Sequence, residues 1–334
     1  MAGASRIVGV LVLALAAVSL SVAYAADKTV YQYIIFGDSV TDTGNVFKDG
    51  GVPDPAIYFK GRFSNGPNWV DYINETLSSK HKVQIFNYAT GGGVACRANL
   101  NSTRYPYSRD AVNQTGNFLA DLAKGKLPTT KDTRRISLSW FAANDVIVGL
   151  TRALTSGADP ATAGAQIVAD LATCLAQHVA TLAGAGVAEV ALIPQSPVQV
   201  SPLVLDYLRP LVSQLVDAVD GALVKAVEAV NAQLGAAPAG SAASRAHVYL
   251  LGDSKWIGRI APAVRPAFKY ISENPCFVNP VSSMVLTPGI KVCENPNDYA
   301  FYDEIHPSTT FHKWFALHGL LPRLQLFRLA PRDV

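Results

Sequence analysis

The sequence predicts a three-layer α/β domain in which a five-stranded parallel sheet is covered by helices on both faces. Three observations lead there. Apolar, β-prone runs recur at 31–36, 83–88, 134–141, 187–194 and 247–251. Stretches with helical signals lie between them, and apolar strands alternating with helices make a parallel sheet buried on both sides. The 334-residue chain is 49% apolar, enough for one sizeable core, and no repeat, low-complexity tract or linker divides it. Five strands suit the flavodoxin-like order 2-1-3-4-5.

Taken in order, the chain opens on a targeting segment. Arg6 precedes the apolar run Ile7 to Val22, and Ala23-Tyr24-Ala25 supplies a small-x-small cleavage site. This is the pattern of a secretory signal peptide, so residues 1–25 are expected to be removed and 26–334 to form one secreted domain. The run is short for a span and has no stop-transfer flank. No other stretch reads as long and apolar enough to cross a bilayer, so no stable membrane insertion is expected. Tyr31 to Phe36 then reads as a buried strand that ends abruptly in Gly37-Asp38-Ser39. Residues 41–66 form a loop rich in Gly, Pro and Asp. A proline followed by Trp69, Val70, Ile73 and Leu77 is spaced for an amphipathic helix.

The second strand leads into Asn87-Tyr88-Ala89-Thr90-Gly91-Gly92-Gly93, and the third into Phe141-Ala142-Ala143-Asn144-Asp145. Asp159 caps a helix with Pro160 at its first position; it runs to about Ala183 and is closed by Gly184 and Gly186. Residues 201–234 read as a long helical stretch broken or kinked at Pro210. After the fifth strand, 254–300 is a loop-rich insertion suited to shaping a pocket. Asp303-Glu304-Ile305-His306-Pro307 precedes a last helix over about 308–320.

The carboxyl edge of such a sheet is where ligands bind, and Ser39 stands there. A serine by itself is a turn former or a cap. A serine nucleophile needs a base, a group to orient the base, and donors for an oxyanion. A carboxylate three residues before a histidine reaches its Nδ1 within one loop, so Asp303 can fix the tautomer of His306 and leave Nε2 facing Ser39. Pro307 biases His306 away from helical dihedrals and suits the first turn of the helix that follows. The glycine block offers backbone N–H groups at close approach, and the Asn144 amide donates without charge.

These blocks, Phe36-Gly37-Asp38-Ser39, Gly91 to Gly93, Ala142-Ala143-Asn144-Asp145 and Asp303-x-x-His306-Pro307, stand in fixed order over about residues 31–320. They resemble the GDSL family of esterases and lipases, also called SGNH hydrolases. The resemblance implies the same parallel sheet, Ser39 as nucleophile, His306 as base and Asp303 as its orienter. It implies oxyanion donors in the Ser39 and Gly92 N–H groups and the Asn144 side chain. One departure is Ala142, where the family's third block usually has glycine. There is also no Gly-x-Ser-x-Gly elbow, since Thr41 stands where its last glycine would be, which argues against an ordinary α/β-hydrolase. The segment through Arg62, Asn68 and Trp69 resembles a motif of a subset that includes fungal carbohydrate acetyl esterases and bacterial secreted lipase-like enzymes. Either it contacts substrate or it packs the loop onto the domain.

Removing Arg6 from the formal charge of +3 leaves about +2, too small and too scattered for nucleic acid. The six histidines lie apart and there is no Cys-x-x-Cys, so neither metal nor cofactor is expected. Four cysteines in an exported chain favour disulfides. Cys276 and Cys293 bracket a Pro- and Asn-rich loop and are paired first; Cys96 with Cys174 follows by elimination, a buried free thiol at Cys174 being the alternative. Acceptor triplets begin at Asn74, Asn101 and Asn113, pointing to glycosylated surface loops.

The expected protein is therefore a secreted, monomeric, metal-independent serine esterase working through an acyl-enzyme on a small-molecule or polymeric ester. Acetyl and other short acyl esters, on plant-wall carbohydrate, come first. The rivals are a lipase, phospholipase or acyltransferase acting on lipids, and a non-catalytic binding protein on a hydrolase scaffold.

Overall fold

The computed structural model describes residues 28–100, 106–141, 143–257, 267–271, 274–279 and 289–334. The signal segment, Asn101, Ala142 and much of the 254–300 insertion lie outside these. Five strands form one sheet: β1 Val30–Gly37, β2 Lys82–Asn87, β3 Thr133–Trp140, β4 Glu189–Leu192 and β5 His247–Leu250. Their order is β2-β1-β3-β4-β5, every neighbouring pair is parallel, and the expected topology is the observed one. The helices are α1 Asn45–Gly50, α2 Trp69–Ser78, α3 Ala111–Ala123, α4 Ala143–Ser156, α5 Pro160–Gly184, α6 Arg209–Gly235, α7 Thr309–Trp314 and α8 Leu321–Leu326.

Side chains of a strand alternate between faces, and β1 divides its residues accordingly. Ile34 and Phe36 join a core with Phe118 of α3, Leu171 and Val179 of α5, and Val216 and Val219 of α6. Tyr33 and Ile35 face the other way, onto Trp69, Ile73 and Leu77 of α2 and onto Phe315, Leu320 and Leu324 near the C-terminus. Both faces are covered, so the central strands carry apolar residues at successive positions.

Local chemistry sets the helix starts. The Asn68 side chain accepts from Val70 N at 3.0 Å and Asp71 N at 3.4 Å, while Asp71 accepts from Asn68 N at 3.0 Å, a reciprocal capping box. Asp159 accepts from Thr162 N at 2.8 Å ahead of Pro160, as the sequence suggests. The 201–234 stretch is broken at Pro210, one of the two expected outcomes. Pro210 sits in the first turn of α6 rather than kinking its middle, where its missing N–H is no loss. The preceding residues form separate 3₁₀ turns, Val198–Val200 and Asp206–Leu208.

The last helix runs further than expected, α7 passing through a π-helical turn, Phe315–Leu320, into α8. The short α1 lies inside the expected loop, α3 follows the glycine block, and α4 opens within the asparagine block. α5 corrects the membrane reading: by length and composition it is the one helix among the described residues able to cross a bilayer. Its Leu171, Val179, Leu182 and Ala183 are buried in the core.

Both expected disulfides are formed, Cys96–Cys174 and Cys276–Cys293, which excludes the free thiol at Cys174. The first joins the glycine-block loop to α5. The second closes a segment packed with Tyr58, Phe277 and Tyr302.

β1 ends at Gly37 with φ 156°, and a Cβ there would lie 2.5 Å from the Trp140 carbonyl. Only glycine lets β1 and β3 end this close together. Gly37→Ala should therefore cost on the order of 3 kcal/mol, read as a lowered urea midpoint. An unchanged midpoint would refute this account of the strand end.

Candidate active site

Parallel pairing brings three strand ends together. Ile35 of β1 lies opposite Asn87 of β2, and Gly37 opposite Trp140 of β3. The turns that follow are therefore neighbours at the carboxyl edge, on either side of β1, where the connections diverge. After Gly37 the chain folds tightly, with Thr41 N and Asp42 N donating to Asp38 O at 3.0 and 2.9 Å. This turn presents Ser39 half-buried. Beneath it the Gln114 amide acts like one more strand residue, accepting from Gly37 N at 3.0 Å and donating to Gly37 O at 2.8 Å.

The glycine block is tied to this turn by buried side chains. Asp42 accepts from Gly44 N at 2.7 Å and Asn45 N at 2.6 Å through Oδ1, and from Gly91 N at 2.8 Å through Oδ2. Asn45 donates to the Asn87 and Ala89 carbonyls at 2.9 and 2.8 Å, and Asn87 donates to Thr41 O at 2.8 Å. Gly93 N donates to Thr90 O at 2.8 Å. The Gly91 and Gly93 N–H groups are thus engaged, whereas among the described residues nothing accepts from Gly92 N, which has φ 70°, or from Ser39 N. Asn144, in the first turn of α4, donates one amide hydrogen to Gly93 O at 2.8 Å and has a second available. The next residue, Asp145, accepts from Ala95 N, Cys96 N and Asn99 Nδ2 at 2.7–3.0 Å. It pins the start of α4 to the loop that follows the glycines.

The third element arrives from the far end of the chain. His306 Nε2 lies 2.8 Å from Ser39 Oγ, and His306 Nδ1 lies 2.8 Å from Asp303 Oδ2. Asp303 Oδ1 also accepts from His306 N at 2.7 Å and Ile305 N at 2.9 Å. Tyr58 donates to Oδ2 at 2.6 Å. Asp303 and His306 are both buried. Burial alone pushes the Asp303 carboxyl up, but the His306 charge and the bonds from His306 and Tyr58 outweigh it and hold the group below the ordinary carboxylate range.

Ser39, Asp303 and His306 are brought into one line, with the Gly92 and Asn144 loops beside it. The Arg62 to Trp69 segment is packing. Arg62 forks onto Asp71 at 3.1 and 2.7 Å, Asn68 caps α2, and Trp69 is fully buried. Its neighbours seat the catalytic turn: the Phe63 ring lies 5.2 Å from that of His306, Ser64 donates to Pro307 O at 2.9 Å, and Asn65 accepts from Thr309 N at 2.9 Å. Sequence reasoning missed Tyr58, Asp42 and Gln114. Asp42 had a signal as a turn former two residues before a glycine; Tyr58 and Gln114 had none. Asn74 and Asn113 are exposed, but on α2 and α3 rather than on loops. Among the described residues no group of three or more His, Cys, Asp or Glu is placed to hold a metal ion.

Two further buried carboxyls flank the serine. Burial raises Asp38 to about 7 and Asp145 to about 6, in each case against hydrogen bonds that work to lower it. His178 and His312 are pushed down to about 3, first of all by burial, and are neutral.

A serine, histidine and aspartate in line at the carboxyl edge of a parallel sheet form an arrangement able to carry out acyl transfer. Residues 33–318 match the model of the GDSL-like lipase/acylhydrolase family, and the chain belongs to that family. It is 35% identical over 85 residues to a phosphatidylcholine-sterol acyltransferase of Aeromonas hydrophila, 25% of this chain and 24% of that one. It is 35% identical over 65 residues to a thermolabile hemolysin of Vibrio parahaemolyticus, 19% of this chain and 15% of that one. The matches thus span a quarter or less of those two relatives. Among solved structures, an acetylxylan esterase of Geobacillus stearothermophilus aligns over 88% of this chain and 93% of its own, at 12% identity and TM-score 0.44. A phospholipase A1 of Streptomyces albidoflavus aligns over 88% and 98%, at 15% identity and TM-score 0.39.

Asp38 yields a pH test. Folded, it keeps a proton up to about pH 7; unfolded, only to about pH 4. The native state binds the extra proton between those values, so this contribution to stability is full below about pH 4 and is lost as the pH rises through 7. The urea midpoint of Asp38→Asn should therefore gain on that of the unsubstituted protein between about pH 4.5 and 7.5. A gap independent of pH would refute the assignment.

Proposed function

We propose that this protein is a secreted serine esterase that hydrolyses carboxylic esters through an acyl-enzyme at Ser39. One observation carries the reading: the unbroken line from Asp303 Oδ2 through His306 to Ser39 Oγ, with both contacts at 2.8 Å. Asp303 holds the His306 tautomer with the proton on Nδ1, so Nε2 accepts the Ser39 proton as Oγ bonds to the ester carbon. The carbonyl oxygen takes the negative charge and is met by the Ser39 and Gly92 N–H groups and the second Asn144 hydrogen. Collapse breaks the bond to the alcohol, which leaves with the proton from Nε2. Water, deprotonated by His306, then attacks the acyl-serine and frees the acid. Export is supported by the two disulfides and by the leader-like Arg6 to Ala25 segment.

For the substrate, Arg62, Asn68 and Trp69 all have packing roles, which takes weight from the motif that favoured carbohydrate. A lipid ester is favoured by a specific observation. Of eleven exposed large apolar side chains among the described residues, five (Val200, Leu203, Leu205, Tyr207 and Leu211) fall within one short segment. Leu203 N donates to Glu304 O at 2.9 Å, which holds that segment against the catalytic turn. An apolar rim held against the 303–306 turn suits an acyl chain.

Ser39→Ala should abolish p-nitrophenyl ester turnover while leaving the thermal unfolding unchanged, and should lose labelling by a fluorophosphonate. Undiminished turnover would overturn the nucleophile. Asn144→Ala should lower kcat by about a hundredfold or more. Across acetyl to palmitoyl esters, the rate should rise toward the longer chains; a maximum at acetate would return the substrate to short acyl esters.

A further inference from the structure

We propose that Tyr58 is a positioning residue for ester hydrolysis: its hydroxyl fixes the Asp303 carboxylate and thereby sets how strongly His306 holds a proton. The proposal rests on the serine-esterase reading above. Tyr58 OH lies 2.6 Å from Asp303 Oδ2, and both residues are buried to about 1% exposure. The carboxylate is ionised, so the phenol must be the donor.

Oδ1 of Asp303 is held by backbone N–H groups of its own turn, from Ile305 and His306. Oδ2 has only His306 Nδ1 and Tyr58 among the described residues. Tyr58 is therefore the one side-chain partner of Asp303 from outside the 303–306 turn. Without it Oδ2 would keep only His306 Nδ1, which also lies 3.0 Å from Oδ1, and the buried carboxylate would lose one donor. The phenol is itself held in place. Tyr58 N donates to Asp54 O at 2.9 Å, and the ring packs edge-on to Tyr302 at 5.5 Å and Phe277 at 6.1 Å. These rings keep water from replacing the missing donor.

A donor on Oδ2 also disperses the carboxylate charge that would otherwise draw a proton onto the pair. Removing it should raise the pH at which the Asp303–His306 pair takes up a proton, whichever of the two carries it. The ionisable groups facing the pair are Tyr58 from the 51–66 loop, Asp38 from the serine turn, Tyr302 and Glu304 from the catalytic turn, and His312 from α7. His312, held down to about 3 by burial, is neutral at the pH of the test, and Asp38 titrates at about 7.

The test is the pH profile of kcat/KM for Tyr58→Phe, which deletes the hydroxyl and keeps the ring. The acid limb should move up by about one pH unit, and kcat should fall with KM unchanged. The same shift should persist in an Asp38→Asn background. If Tyr58→Phe does not fold, difluorotyrosine placed at position 58, a stronger donor, should move the limb down instead. An unmoved limb in either variant, or a shift lost in the Asp38→Asn background, would overturn the role of Tyr58 while leaving the esterase reading intact. Retained turnover in Ser39→Ala would overturn both.

Discussion

The geometry of three adjacent parallel strands is the constraint on which the site depends. β2, β1 and β3 run the same way and end nearly level, so the turns after Asn87, Gly37 and Trp140 have to share one small volume. A serine on the central turn then has a glycine loop on one side and a helix N-terminus on the other. Parallel pairing makes this juxtaposition independent of the intervening sequence, because the connections travel over the faces of the sheet. What remains is to hold the turns still and to bring a base to them.

Buried carboxylates hold the turns still. Asp42 links the serine turn to Gly91, Asp145 links α4 to Ala95 and Cys96, and Asp303 gathers the N–H groups of its own loop. A buried carboxylate is costly unless donors satisfy it. Each therefore selects the one arrangement of loops that supplies those donors. The raised values of Asp38 and Asp145 record what burial costs such groups. One consequence bears directly on chemistry. With the N–H groups of Gly91 and Gly93 engaged inside the protein, that of Gly92 is the one in the glycine block with no acceptor among the described residues.

His306 comes from the other end of the chain, and its seating was the least legible part. Phe63, Ser64 and Asn65 grip His306, Pro307 and Thr309, so the 51–66 loop is a clamp. Sequence reasoning saw a motif there and divided it between substrate contact and packing. Burial of Trp69 and the Arg62–Asp71 pair decided for packing.

Periodicity, strand-ending turns and cap residues were enough by themselves to set the α/β class, the helix start at Asp159 and the pairing of Asp303 with His306 within one loop, and five strands suited the order that is observed. These are short-range properties, or follow from the rule that parallel strands need crossovers. The 2.8 Å contact between Ser39 and His306, 267 residues apart, was decided only by the tertiary structure, as were the Tyr58 bond to Asp303 and the engagement of Gly91 and Gly93. No local pattern encodes them, because each depends on where distant backbones come to rest when two apolar faces of one sheet are buried together.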